Sequence, residues 1–291
     1  MTRLAIGLFW LLHWLPLAIL APLGQTLGLL LWLLAVPRRR VVNVNLRLCF
    51  PELDAAARAR LARGHFMMLG RSLLERGLLW WANRERLEKL IRIKGIDRVR
   101  AFQQSATPVI LLAPHFVGLD MGGTRVTMCF DIVSIYARQK KNPLLERWLY
   151  HGRSRFGDQL LLSRQDGARA TVKAMKAGRP FYYLPDMDYG RRDAIFVPFF
   201  GVQAATITGL SRLARLAGAK VLPCVTRMLP GGAGYEVDIG EPWADFPTAD
   251  AEADTRRMNA WLEDVVRAMP EQYYWVHRRF KTRPEGEEKI Y

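Results

Sequence analysis

Apolar residues are distributed along this chain in three ways. From Leu4 to Pro37 they form one run, LAIGLFWLLHWLPLAILAPLGQTLGLLLWLLAVP, without a single Asp, Glu, Lys or Arg. Asn43 to Phe50 then leads into Pro51-Glu52, a helix start. From about Leu53 to Trp81 the apolar positions, among them Leu61, Phe66, Leu69, Leu73 and Leu74, recur every three or four residues, which predicts a helix. Beyond Thr107-Pro108, short buried runs alternate with helix-length segments. VILLA (109–113), DIVSIYA (131–137), Gln159–Leu162, PFYYLP (180–185) and KVLPCVTRM (220–228) read as strands. Leu119–Cys129, Pro143–Phe156, Ala168–Lys176, Thr208–Ala217 and Ala251–Met269 read as the intervening helices. GYEVDIG (234–240) alternates like an exposed strand after the PGG turn at Pro230. This βαβ rhythm predicts an α/β fold with a central mixed, mostly parallel sheet flanked by helices.

The first run is longer than the roughly 20 residues needed to cross a bilayer, and Pro16, Pro22 and Gly24-Gln25-Thr26 interrupt it. A tilted span with an interfacial helix and a re-entrant hairpin both fit. A cleaved signal peptide does not, because Arg38, Arg39 and Arg40 stand where a small-residue cleavage site would be. Those arginines, against Arg3 ahead of the run, place the C-terminal remainder of the chain on the cytoplasmic side. The division expected is an N-terminal membrane anchor, residues 1–40, and one α/β domain, residues 41–291, with no internal repeat or linker inside it.

Charge strengthens the membrane reading. Among 291 residues, Lys+Arg number 43 against 27 Asp+Glu, a formal net charge of +16. Such an excess suits anionic lipid, an acidic protein or nucleic acid, but the chain carries no recognised nucleic-acid module. The three cysteines, Cys49, Cys129 and Cys224, lie far apart and offer neither a zinc framework nor an obvious nucleophile.

Candidate chemistry begins at LLAPHFVGLDMGG (111–123). His115 follows a buried strand, where ligands of α/β sheets gather. Asp120, five residues on, falls in the first turns of the next helix and is positioned to orient the imidazole as a base. HxxxxD alone is a weak signal. A second buried strand runs into LPDMDYG (184–190), which brings Asp186 and Asp188 to bind a metal, orient arginines or cap a turn. With no histidine near them in sequence, metal is the least supported of these. FVPFFG (196–201) suits the lining of an acyl groove. Arg138, Lys140, Lys141, Arg153, Arg155 and Arg164 form a basic series, part solvated surface and part candidate phosphate ligands. YYWVHRRFKTRPEGE (273–287) interleaves basic and aromatic residues, which suits stacking on nucleic acid or a membrane interface, and the apolar N-terminal run favours the interface.

HFVGLD, ARQKKNPLLERW, GRSRFG, LPDMDYG, FVPFFG and YYWVHRRFKTRPEGE occur in this order, and the order resembles the bacterial lipid A biosynthesis acyltransferases of the late, lauroyl/myristoyl type over nearly the whole chain. The resemblance implies a glycerolipid-acyltransferase-like fold. It implies transfer of a fatty acyl chain from acyl carrier protein to a hydroxyacyl chain of a lipid A precursor, at the cytoplasmic face of the bacterial inner membrane. The carrier-protein thioester is then the co-substrate, with no cofactor and no metal. His115 is expected as the base and Asp120 as its orienter, a position where many members carry Glu. Arg153, Asp186 and Asp188 are expected to support them, with Arg138, Lys140, Lys141 and Arg164 on the acceptor's phosphates. The FPEGTR-type motif of glycerolipid enzymes is missing, and LPDMDYG occupies the corresponding stretch. A lysophosphatidic acid acyltransferase and a non-enzymatic lipid-binding membrane protein are the alternatives.

Overall fold

A computed structural model describes residues 2–291, with the Arg164 side chain outside the description. The chain opens with α1 (Thr2–Leu12), α2 (Leu17–Leu34), α3 (Val36–Cys49), α4 (Ala55–Leu74), α5 (Arg76–Trp81) and α6 (Arg84–Leu90). Next come β1 (Ile91–Lys94), α7 (Ile96–Gln104), β2 (Val109–Leu112), α8 (Leu119–Thr127), β3 (Val133–Ile135), α9 (Pro143–Ser154), β4 (Leu160–Leu162), α10 (Gly167–Lys176) and β5 (Phe181–Tyr183). β6 (Ala194–Phe199), β7 (Val202–Ile207), α11 (Gly209–Ala217), β8 (Lys220–Met228), β9 (Tyr235–Ile239) and α12 (Ala251–Ala268) complete it.

Seven strands form one sheet in the order β1-β9-β8-β2-β5-β3-β4, parallel at every pairing except β8 with β9. Every residue of β2 is buried, as a central parallel strand covered on both faces requires. Leu111, Val117, Met121 and Val126 pack with α5, while Ile110, Leu112 and Val133 pack with α10 and α11. This is the expected mixed, mostly parallel sheet with flanking helices.

Several elements differ from the sequence expectation. GYEVDIG is not exposed: Tyr235, Val237 and Ile239 are buried and the strand lies between β1 and β8. β1 escapes the hydropathy pattern because its four residues, IRIK, alternate with charge at the sheet edge. The predicted helix over 53–81 divides at Glu75, whose carboxylate is buried against Arg71 and the Tyr235 hydroxyl. FVPFFG lies in a β6–β7 hairpin, with Phe199 in the core beside Trp275 and Phe280 and with Phe196 and Pro198 half-buried.

The Gly24-Gln25-Thr26 break is no break. α2 runs through it and through Pro22, and the glycines are what bring α2 against α4. A Cβ on Gly24 would lie 2.6 Å from the Arg71 Cα, and one on Gly28 would strike the Phe66 carbonyl. Such close backbone approach admits only glycine. Residue 40, the expected domain boundary, falls inside α3, whose Asn45 amide bonds the carbonyls of Trp275 and His277.

Candidate active site

The site is built where two adjacent parallel strands end. β2 and β5 are in register with Leu112 opposite Tyr183. Each chain then continues through one residue and a proline, Ala113-Pro114 and Leu184-Pro185, to a polar residue. Equal steps from equal register bring those residues together. The His115 Nδ1 lies 2.7 Å from Asp186 Oδ1, and the His115 backbone N–H donates to Asp186 Oδ2 at 3.0 Å. Both carboxylate oxygens are therefore engaged by the same residue. Burial opposes ionisation of Asp186, yet the His115 charge and its two hydrogen bonds hold the carboxyl below the ordinary value. An ionised Asp186 fixes the proton on Nδ1 and turns Nε2 outward as the basic nitrogen. The imidazole is a quarter exposed, and Nε2 has no protein partner among the described residues. Behind it, the Tyr274 N–H donates to the His115 carbonyl and Val117 N–H to the Gln272 carbonyl, so the C-terminal segment straps the histidine loop in place.

Asp120 does not orient His115; this corrects the expectation from HxxxxD spacing. Its place in the first turn of α8 points it to the neighbouring helices instead. Oδ2 accepts from Arg76 of α5 and Oδ1 from Arg153 of α9, each at 3.0 Å. Burial would raise this carboxyl, but the two guanidinium groups hold it down at about 2. The Arg153 guanidinium also lies over the Tyr136 ring at 5.1 Å, and that tyrosine donates to Glu146. The arrangement is one acid holding two cations at the start of the helix that follows the His115 loop, and a histidine whose second nitrogen is free. It offers a base for a hydroxyl proton and positive charge for a phosphate or a developing oxyanion.

A model of the bacterial lipid A biosynthesis acyltransferases matches residues 1–282. The chain is similar to the lipid A biosynthesis lauroyltransferase of Escherichia coli K12, 37% identical over 98% of this chain and 93% of that protein. It is also similar to that organism's lipid A biosynthesis palmitoleoyltransferase, 33% identical over 100% and 94%, and to its myristoyltransferase, 29% identical over 94% and 83%. The chain belongs to the bacterial lipid A biosynthesis acyltransferase family.

The remaining residues of this acyltransferase divide between its site and its frame. Asp188 is buried and structural: it accepts from Gly190 N–H, Thr282 N–H and the Thr282 hydroxyl, pinning the tail to the loop after β5. Its own N–H donates to His277 Nε2 at 3.1 Å. Burial, then Lys281, Arg279 and His115, push His277 down to about 4, so it serves as a neutral acceptor. Arg138, Lys140 and Lys141 are exposed in the loop after β3, on the same carboxyl rim of the sheet as His115. The Arg164 side chain lies outside the described residues. Of the two arginines in GRSRFG, Arg153 faces Asp120, whereas Arg155 donates to the carbonyls of Leu79 and Ala82, each at 2.6 Å, and ties α9 to α5.

The YYWVHRRFKTRP tail is core, not membrane interface. Tyr273, Trp275 and Phe280 are buried, and buried Arg279 donates to Ala205 O and Thr206 Oγ1. Sequence reasoning missed Arg76 altogether, since an arginine within a helical run gives no sign of its partner. Asp186 had a readable sign, the repeated strand-x-Pro-polar pattern of LLAPH and YYLPD.

Proposed function

We propose that this acyltransferase moves a fatty acyl chain from the thioester of acyl carrier protein to a hydroxyl on an acyl chain of a lipid A precursor, with His115 as general base. The observation that carries this reading is the free His115 Nε2, with Nδ1 held by Asp186, in a chain of this family. In the proposed step Nε2 takes the acceptor hydroxyl proton as the oxygen attacks the thioester carbonyl. The carbon–oxygen bond forms, the carbon–sulfur bond breaks, and the imidazolium returns the proton to the departing thiolate. No covalent acyl-enzyme and no cofactor enters the scheme. Asp120 positions Arg76 and Arg153 for the oxyanion or an acceptor phosphate, and exposed Arg138, Lys140 and Lys141 supply further positive charge on that rim. The formal charge of +16 suits both an acidic carrier protein and anionic lipid, and the arginines after the apolar segment favour work at the cytoplasmic face of the inner membrane.

The test is purified enzyme with lauroyl, myristoyl and palmitoleoyl carrier-protein thioesters, each offered a lipid A precursor or lysophosphatidic acid, read by mass spectrometry. Transfer to the lipid A precursor alone is expected. His115→Ala should abolish it while folding and lipid binding persist; near-normal turnover in that variant would overturn the mechanism.

A further inference from the structure

The outward faces of α1 and α2 are apolar and unpartnered. On α2 the buried positions are Leu17, Leu20, Ala21, Gly24 and Gly28, and the two glycines face α4. The opposite side presents Leu23, Leu30 and Leu34, each 45–78% exposed, and α1 adds Leu4, Leu8 and Leu11 at 50–78%. Thr26 shares the outward side of α2, and its hydroxyl is satisfied by the Pro22 carbonyl at 3.0 Å. At 18 residues, α2 is long and apolar enough to cross a membrane, about 27 Å at 1.5 Å per residue.

Its attachments argue against crossing. Before its start, Arg86 of α6 donates to the Leu15 carbonyl at 2.6 Å. Four residues past its end, Arg38 donates to the Val276 carbonyl at 3.3 Å, in the strap that also holds His115. Both ends are thus fastened to the same α/β body. Gly24 lies against Arg71 and Gly28 against Phe66, so α4 runs antiparallel beside α2. A span by α2 would carry α4, with Arg63 and the buried Arg71–Glu75 pair, into hydrocarbon, where such groups are costly.

We propose that α1 and α2 lie in the plane of the bilayer, sinking their outward faces into one leaflet of an anionic membrane without crossing it. Basic groups border the apolar faces. Arg3, Arg38 and Arg40 are exposed, while Arg39 and Arg63 lie over the Trp32 ring at 5.3 and 5.8 Å. Arginine beside indole is the composition of the headgroup level, and this positive rim commits the faces to anionic lipid over a second copy of an equally basic chain. The placement also has a consequence for the site. Phe9 of α1 packs on Trp80 of α5 at 5.5 Å, and the Thr2 hydroxyl accepts from Asn142 at the start of α9. These two helices carry Arg76 and Arg153, so in-plane docking holds the arginine pair at the lipid surface. The inference rests on the proposed role as a membrane-surface acyltransferase.

Two measurements in sealed vesicles of phosphatidylethanolamine and phosphatidylglycerol test it. Spin labels at Ile19→Cys, Leu23→Cys, Leu30→Cys and Leu34→Cys, in a cysteine-free background that keeps transfer activity, should report one common depth within a single leaflet. A midplane maximum with shallow ends would overturn the proposal. Independently, an epitope placed ahead of Met1 in the otherwise native chain should be cut by protease added on the side of the catalytic domain. Protection of the epitope would overturn it, as would failure to bind vesicles or self-association that hides the labels without lipid. Transfer measured in detergent is separate, so loss of docking with activity intact leaves the catalytic reading standing.

Discussion

Asp186 and Asp120 are each held by basic groups, and they do different work. Asp186 is nearly buried, and both its oxygens serve one histidine. Asp120 is about a quarter exposed, and its oxygens are divided between Arg76 and Arg153 on two helices. The first arrangement fixes a tautomer and an orientation. The second fixes the separation of two positive charges that would repel each other without the carboxylate. A carboxylate's role is set by what faces it, and for these two the neighbour in space overrules the neighbour in sequence.

Substituting the two acids gives the largest expected separation. Asp186→Asn presents one oxygen and one NH2 to two donors, the imidazole Nδ1–H and the His115 backbone N–H. Whichever way the amide turns, a donor meets a donor, and the ring loses the tautomer that frees Nε2. A fall in kcat of about 10²–10⁴-fold is expected, the range of a positioned general base. Asp120→Asn should act mainly on KM for the phosphorylated acceptor, with kcat falling about tenfold or less, and Asp120→Glu should recover part of the loss. Steady-state kinetics on both variants decides the matter, and equal losses of kcat would erase the distinction.

How much of this was legible in the sequence depends on range. The mixed sheet and its flanking helices were, because the buried runs VILLA, PFYYLP and KVLPCVTRM contrast strongly with the helical segments between them. His115 was legible as a strand-end residue for the same reason. Its true partner was not taken from the sequence, because pairing β2 with β5 joins positions 71 residues apart, and local spacing favoured the aspartate five residues away. The tail misled in a related way. Interleaved basic and aromatic residues describe a membrane interface and a strap across a core equally well, and only the burial of Trp275, Arg279 and Phe280 distinguishes them. The N-terminal run was legible as apolar, while the glycines read as a break are its contact with α4.

A histidine without a carboxylate sharpens the contrast. His65 is buried, its Nδ1 is 3.0 Å from the Glu271 carbonyl, and Nε2 has no protein partner among the described residues. Burial pushes it down to about 4, with the carbonyl working weakly the other way. The unfolded chain then binds the extra proton between about pH 6.5 and 4, so stability is full above that window and falls as pH drops through it. A loss of about 3 kcal/mol is expected from this one group. Urea unfolding in detergent at stepped pH measures it, and His65→Gln should flatten the slope. An unchanged slope in that variant would place the acid sensitivity elsewhere.

Asp120 has the opposite sign and a lower window. Its carboxyl is held at about 2 against an ordinary 3.8, so the stability it contributes is present above about pH 3.8 and disappears as pH falls through 2. The contribution is about 2 kcal/mol. The unfolding free energies of wild type and Asp120→Asn should therefore differ by about that amount at neutral pH and converge between about pH 4 and 2. Convergence should begin at higher pH in Arg153→Gln and in Arg76→Gln, because each removes one of the two cations that keep the carboxyl ionised. If either arginine could be removed without moving the convergence, Asp120 would hold a single partner, and the comparison with Asp186 would reduce to one ion pair against another.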